Sequence, residues 1–116
     1  MRILVTSVDY APDDLYDQTP FEANLIREIP GPDRSDYWLS SLPKPIRWLN
    51  DGVQTSVDYL VLCARWEGTR IGAGMKSLPV GIAYVVDDTL LKDTRLTFDK
   101  CKYVAIGAAD EITGTA

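Results

Sequence analysis

The most apolar run in the chain, residues 57–66, constrains the fold more than any other feature of the sequence. Asp58 lies near its start and Arg65 near its end, with six consecutive apolar residues between them. Both side-chain parities are apolar in this stretch, which is typical of a strand covered on both faces of its sheet. A buried helix is the alternative, but ten residues without capping signals are short for a helix, and Val, Tyr and Trp favour strands. The run therefore predicts a central strand around which the rest of the chain packs.

Further strand patterns lie on both sides of this run. Residues 2–10 contain apolar Ile3, Leu4, Val5 and Val8. Residues 19–29 alternate apolar with polar side chains, and shorter patterns occur at 80–86, 94–98 and 102–107. Pro20 could instead open a short helix, and residues 35–39 indicate a capped helical turn. Pro43 and Pro45 favour edge or irregular structure, and the Asp-Gly pair at 51–52 predicts a hairpin turn.

These patterns predict a mostly β fold, a small antiparallel barrel or sandwich of six to seven short strands with one or two helical turns. An α+β fold is the alternative. The length of 116 residues predicts a single domain, 1–116. No apolar run approaches the ~18 residues of a membrane span, and the amino-terminal stretch lacks the pattern of a secretory signal. We therefore expect a cytoplasmic protein that does not bind membranes.

The chain contains no histidine and only two cysteines. The missing histidine excludes Ser-His-Asp and Cys-His catalysis and histidine metal sites, so the sequence favours a protein that is not an enzyme without settling the point. Cys63 and Cys101 lie in apolar runs, and we interpret them as reduced core thiols, with a disulfide as the alternative. The sequence predicts no cofactor and no metal site.

Negative charge is concentrated in the first third of the chain. Residues 1–40 carry eight acids and three bases, whereas residues 41–116 carry nine of each. Asp9, Asp13, Asp14 and Asp17 follow one another with no cation between them. A solvated turn that aids solubility is one interpretation, and a divalent-cation site is another, although the spacing lacks the glycine and terminal glutamate of an EF-hand loop. The functional interpretation is a docking surface that attracts a basic protein partner electrostatically.

Aromatic residues flank the same acids in the sequence. Aromatic side chains beside charge often anchor protein interfaces, although in a small β domain they also serve as core packing groups. The predicted partner-binding residues are Asp9, Asp13, Asp14, Tyr16, Asp17, Tyr37 and Trp38. Direct binding of nucleic acid is disfavoured because the chain has a net charge of −5. Residues 70–76 invite a phosphate-loop interpretation, but Leu78 and Pro79 follow instead of a helix, and a flexible loop is favoured.

The sequence therefore leads to a hypothesis of a small acidic binding protein. Its most concrete form is an inhibitor or immunity protein that neutralises a basic toxin such as a nuclease, with carboxylates imitating phosphates. Changing Asp13, Asp14 and Asp17 to asparagine should then abolish binding. The alternative is a carboxylate- or metal-dependent hydrolase with an aspartate-lined pocket, and a third hypothesis is a structural subunit of a larger assembly.

Overall fold

A computed structural model describes residues 1–9, 11, 13–50, 52–66 and 68–112, without the side chains of residues 13, 14, 50, 103 and 104. The described residues form six strands and one α-helical turn, α1, at Asp13–Tyr16. The strands are β1 Arg2–Asp9, β2 Phe21–Ile29, β3 Tyr37–Asn50, β4 Val53–Ala64, β5 Leu78–Val85 and β6 Cys101–Glu111. Two short 3₁₀ turns, Asp88–Leu91 and Phe98–Lys100, lie between β5 and β6.

The six strands form one closed antiparallel barrel. Each strand pairs with the next along the chain, and β6 returns to pair with β1 from Ile3↔Glu111 to Asp9↔Ile106. At this closure a Cβ on Gly107 would lie 2.5 Å from the Ser7 carbonyl oxygen, so a glycine is needed for the two strands to approach so closely. The structure confirms the mostly β prediction and shows a barrel, not a sandwich.

The predicted central strand corresponds to β4, which begins at Val53 and ends at Ala64. Leu60 and Leu62 belong to the barrel core, while Val61, on the opposite parity, belongs to a second apolar cluster. We name it the outer cluster; its buried members are Ile29, Tyr37, Leu39, Val61, Ala83, Leu90, Leu96 and Cys101. The side chains of Leu60, Val61 and Leu62 are all fully buried. The prediction of a strand covered on both faces is therefore confirmed.

The connection from β5 to β6, residues 86–100, covers the outer face of the sheet. Its Leu90 and Leu96 are fully buried in the outer cluster. Arg27 of β2 donates Nη2 hydrogen bonds to two carbonyls of the connection, Leu91 at 3.2 Å and Asp93 at 2.5 Å. The Leu96 N–H donates to the Pro30 carbonyl at 2.8 Å. These bonds hold the connection against the barrel wall, which is why β4 is buried from outside as well as inside.

The middle of β3 is irregular, as its prolines predict. The pairing of β3 with β4 shifts register between Ser41 and Ile46, and the two strands then continue as a hairpin to the Asn50↔Val53 pair. Gly52 in the turn has φ of +77°, which confirms a hairpin turn there, while Asp51 lies outside the described residues.

Two local predictions were wrong. Residues 37–39 belong to strand β3, not to a helical turn, because Tyr37 and Leu39 alternate with Trp38 and pack into the outer cluster. Residues 94–98 do not form a strand, because Leu96 packs its side chain on the barrel wall while its N–H bonds a loop carbonyl. In both cases, packing outside the barrel decided the local conformation.

Candidate functional site

The turn after β1 plugs one end of the barrel. Leu15 of α1 is fully buried and belongs to the barrel core. Gln18 then clamps the turn onto β3, because its Nε2 donates to the Arg47 carbonyl and its Oε1 accepts from the Arg47 N–H, each at 2.7 Å. These contacts fix the backbone on which several of the predicted acidic residues lie.

The structure places three of the predicted site residues on the surface at this end. Asp9 is the last residue of β1, Tyr16 is the last residue of α1, and Asp17 follows it, all three exposed. Neither Asp9 nor Asp17 forms an ion pair with a described residue. Asp13 and Asp14 begin α1, but their side chains lie outside the described part of the chain.

The structure does not bring Tyr37 and Trp38 to the acidic residues. Neighbouring strands are antiparallel, so β1 finishes at the end of the barrel where β2 begins, and β3 begins at the other end. Tyr37 is only 3% exposed, donates its hydroxyl to Asp33 at 2.6 Å and meets the ring of Phe98 edge-on at 6.1 Å. Trp38 is half-buried and packs against the barrel core. The expected surface of acids and these two aromatics is therefore not formed.

Trp48, which also follows the acids in sequence, is fully buried in the barrel core beside Tyr84. Within the part of the chain that the structure describes, its Nε1 has no hydrogen-bond partner. A barrel of six strands is narrower than the eight-stranded barrels that hold one small ligand, so this ring serves as a packing group.

Two carboxylates that sequence reasoning did not single out join the same end of the barrel. Asp58 of β4 and Asp88 of the 3₁₀ turn line one cleft together with Val85, the last residue of β5. Both are exposed, and neither forms an ion pair with a described residue. We name this end of the barrel, with Asp9, Asp17, Asp58 and Asp88, the acidic end. No sequence signal could have paired residues 58 and 88, because only the β4–β5 topology brings them together.

The acidic end also carries two cations beside Asp17. A groove of about 600 Å³ between the start of β2 and the irregular part of β3 is lined by Asp17 and Glu22 on one side and by Lys44 and Arg47 on the other. The groove is therefore balanced in charge. Asp9, Asp58 and Asp88 lie outside this groove.

The opposite end of the barrel holds arginines and a paired carboxylate. Arg34 donates to both carboxylate oxygens of Asp36, at 2.5 and 2.9 Å, and its Nη1 donates to the Ala64 carbonyl at 2.6 Å. The Arg34 hydrogen bonds hold the pKa of Asp36 below its ordinary value. Arg70 lies 4.0 Å from Asp36, and Arg65 stacks on the ring of Trp66 at 4.6 Å. The negative charge of Asp36 at this end is therefore compensated by neighbouring arginines.

The shifted pKa values of two thiols and two carboxyls in the described part of the chain have identifiable physical causes. Cys63 and Cys101 are not joined in a disulfide, and burial raises both pKa values, that of Cys101 to about 11. Hydrogen bonds from Thr89 lower the pKa of Asp87, as those from Arg34 lower that of Asp36. A general acid would need a raised value instead. Among the described residues, no group of three or more side chains is arranged to hold a metal ion.

Comparisons with protein-family models, with curated proteins and with solved structures found no match to this chain. No helix in the described ranges has the length and apolar character needed to cross a membrane.

Proposed function

We propose that this protein binds a cationic protein partner through the acidic end of its barrel. The observation that carries the proposal is a group of exposed carboxylates at one end of the barrel. Exposed at this end without an ion pair to any described residue are Asp9, Asp17, Asp58 and Asp88. Carboxylates that are not internally paired remain available to a partner and attract it over about 8–10 Å in physiological salt.

The rigid support of these carboxylates favours binding. Asp9 ends a strand of the closed barrel, and the turn that carries Tyr16 and Asp17 is fixed by buried Leu15 and by the Gln18 clamp. Groups held in place before binding lose little conformational freedom when a partner arrives. Tyr16, with 44% of its surface exposed, adds an aromatic contact at the same end.

The most concrete form of the proposal is an inhibitor or immunity protein that occupies the basic surface of a toxin such as a nuclease. Such a surface normally contacts phosphates, and a fixed set of carboxylates offers it similar charge. This form rests on the same exposed carboxylates and adds only the identity of the partner.

Poly-L-lysine serves as a probe of the acidic end. We expect the double variant Asp9→Asn, Asp17→Asn to bind it about fivefold more weakly than the wild type at low salt, because exposed ion pairs contribute about 0.2–1 kcal/mol each. The control is Glu28→Gln, Asp110→Asn, which changes the net charge equally at the opposite end, where Asp110 can still accept from the Ser77 N–H as asparagine. Equal weakening by both double variants would refute the acidic end as the binding surface.

A further inference from the structure

Strand β4 extends past its neighbour β5. From Val53 to Val57 it pairs with β3, but its pairing with β5 begins only at Leu60. On the side of residues 55–58 that faces away from β3, no described strand pairs with them. We name this stretch the β4 edge. Because an exposed strand edge presents backbone donors and acceptors, it is a template for pairing with another chain.

The contacts of Gln18 show which way the backbone of this edge points. Ladder hydrogen bonds of an antiparallel pair alternate between bonded and non-bonded residue pairs. The backbone N–H and carbonyl of Arg47 both form hydrogen bonds with the Gln18 side chain, so these two groups point away from β4. Its ladder partner Ser56 therefore directs its own N–H and carbonyl away from β3. On β3, the outward backbone groups of Arg47 are hydrogen-bonded to Gln18. On β4, the backbone N–H and carbonyl of Ser56 point outward, away from β3.

A cleft runs beside the β4 edge. Residues Ser56 to Tyr59 form one wall, Val85, Asp88 and Leu91 form the other, and the enclosed volume is about 340 Å³. The half-buried Tyr59 and Leu91 supply apolar surface within it. The cleft thus combines outward backbone groups with side-chain contacts, as sites that accept an added strand do.

Charge selects the occupant of the cleft. Asp58 stands on one wall and Asp88 on the other, and no lysine or arginine lines the cleft among the described residues. An incoming segment with basic side chains would meet a carboxylate on each side. A second copy of this chain would bring another Asp58 edge and a further net charge of −5, so it is disfavoured.

We propose that the β4 edge binds an extended, cationic segment of a protein partner by strand addition, with its basic side chains between Asp58 and Asp88. The inference rests on the proposed function, because it names how the cationic partner docks. It adds a requirement that charge alone does not impose: the bound segment must be extended and must offer backbone hydrogen bonds to Ser56.

The probe is a capped six-residue peptide of alternating lysine and valine, titrated into ¹⁵N-labelled protein and followed by NMR. Two further versions carry N-methyl groups on the lysines or on the valines, so each lacks the N–H donors of one edge. We expect the parent peptide to shift the amide signals of residues 55–59 and 85–91. We expect at least one methylated version to bind about tenfold more weakly, in line with the loss of one or two hydrogen bonds.

Two protein variants complete the test. Ser56→Pro removes the outward N–H, at an edge position where proline is tolerated, and should abolish peptide binding while poly-L-lysine binding persists. Asp58→Asn, Asp88→Asn should weaken the peptide about fivefold, more than the Glu28→Gln, Asp110→Asn control.

The outcomes separate this inference from the proposed function. If both methylated peptides bind as well as the parent, or the parent does not bind, strand addition is refuted, whereas the poly-L-lysine comparison still judges the acidic end. If the peptide instead shifts equal numbers of signals all around the barrel, or drives dimer formation seen by sedimentation, strand addition is also refuted. The N-methyl comparison uses wild-type protein, so it stands even if Ser56→Pro fails to fold.

Discussion

Replacing Asp36 by asparagine tests how the end of the barrel opposite the acidic end is held together. The Asp36 side chain is 11% exposed, and its carboxylate accepts two hydrogen bonds from Arg34, which in turn donates to the last carbonyl of β4, that of Ala64. Asparagine keeps one acceptor oxygen but presents an NH₂ group to the second Arg34 donor. Arg34 thus loses a charged partner while its side chain remains only 25% exposed.

The expected loss of stability lies between two limits. Breaking a buried ion pair costs about 3–5 kcal/mol, and exposed pairs contribute about 0–1 kcal/mol. With both side chains mostly but not fully buried, we expect Asp36→Asn to lower the free energy of unfolding by about 2 kcal/mol, the cost of one hydrogen bond to a charged group. The assay is equilibrium urea unfolding followed by tryptophan fluorescence, with Glu28→Gln as an exposed-carboxylate control expected within about 0.5 kcal/mol of the wild type.

The pH dependence gives the same prediction a second readout. The pKa of Asp36 is lowered in the folded protein, chiefly by the Arg34 hydrogen bonds. The stabilisation by its charge is therefore present above the unfolded pKa, near pH ~4, and is lost as the pH falls through the lower folded value. The difference between wild type and Asp36→Asn should shrink below pH ~4. A difference below 0.5 kcal/mol at neutral pH, or one that stays constant into acid, would contradict the assigned role, taking ~0.5 kcal/mol as ordinary for a surface change.

Three further predictions concern packing and thiol chemistry. Gly107→Ala should lower stability by about 1–3 kcal/mol, because its Cβ would lie 2.5 Å from the Ser7 carbonyl oxygen, whereas Gly72→Ala, with nothing within 4 Å, should change little in the same thermal melt. Leu96→Ala should cost about 2–5 kcal/mol in urea unfolding, since its side chain is fully buried between the β5–β6 connection and the barrel wall, and a cost under about 1 kcal/mol would show that the outer cluster is dispensable. Cys101, 4% exposed and with its pKa raised to about 11, should react with a thiol reagent at pH 8 far more slowly in the folded protein than in urea, and equal rates would rule out its burial.

Local patterns in the sequence predicted most of the strands. The alternation in residues 19–29 and the apolar run at 57–66 correspond to β2 and β4, and the Asp-Gly pair marks the hairpin between β3 and β4. Barrel closure could not be read in this way. It depends on pairing β1 with β6, at opposite ends of the chain, and on the close approach at Gly107.

The composition of the site was only partly predictable for the same reason. Asp9, Tyr16 and Asp17 are neighbours in sequence and remain at one end of the barrel. Tyr37 is also near them in sequence, but one strand, β2, carries the chain to the other end before it. Residues joined by a turn stay close together in the fold, whereas a strand carries the chain to the other end of the barrel, so Tyr37 and Trp38 lie away from the acidic residues.

The most direct test of the account maps where a polycation binds on wild-type protein. Poly-L-lysine titrated into ¹⁵N-labelled protein at low salt should shift the amide signals of Asp9, Asp17, Asp58 and Asp88 and their neighbours. The shifts should vanish as the Debye length contracts to about 3 Å near 1 M salt. Shifts spread evenly over both ends, or centred on the Arg34–Asp36 region, would contradict the claim that one end of the barrel is built to receive positive charge.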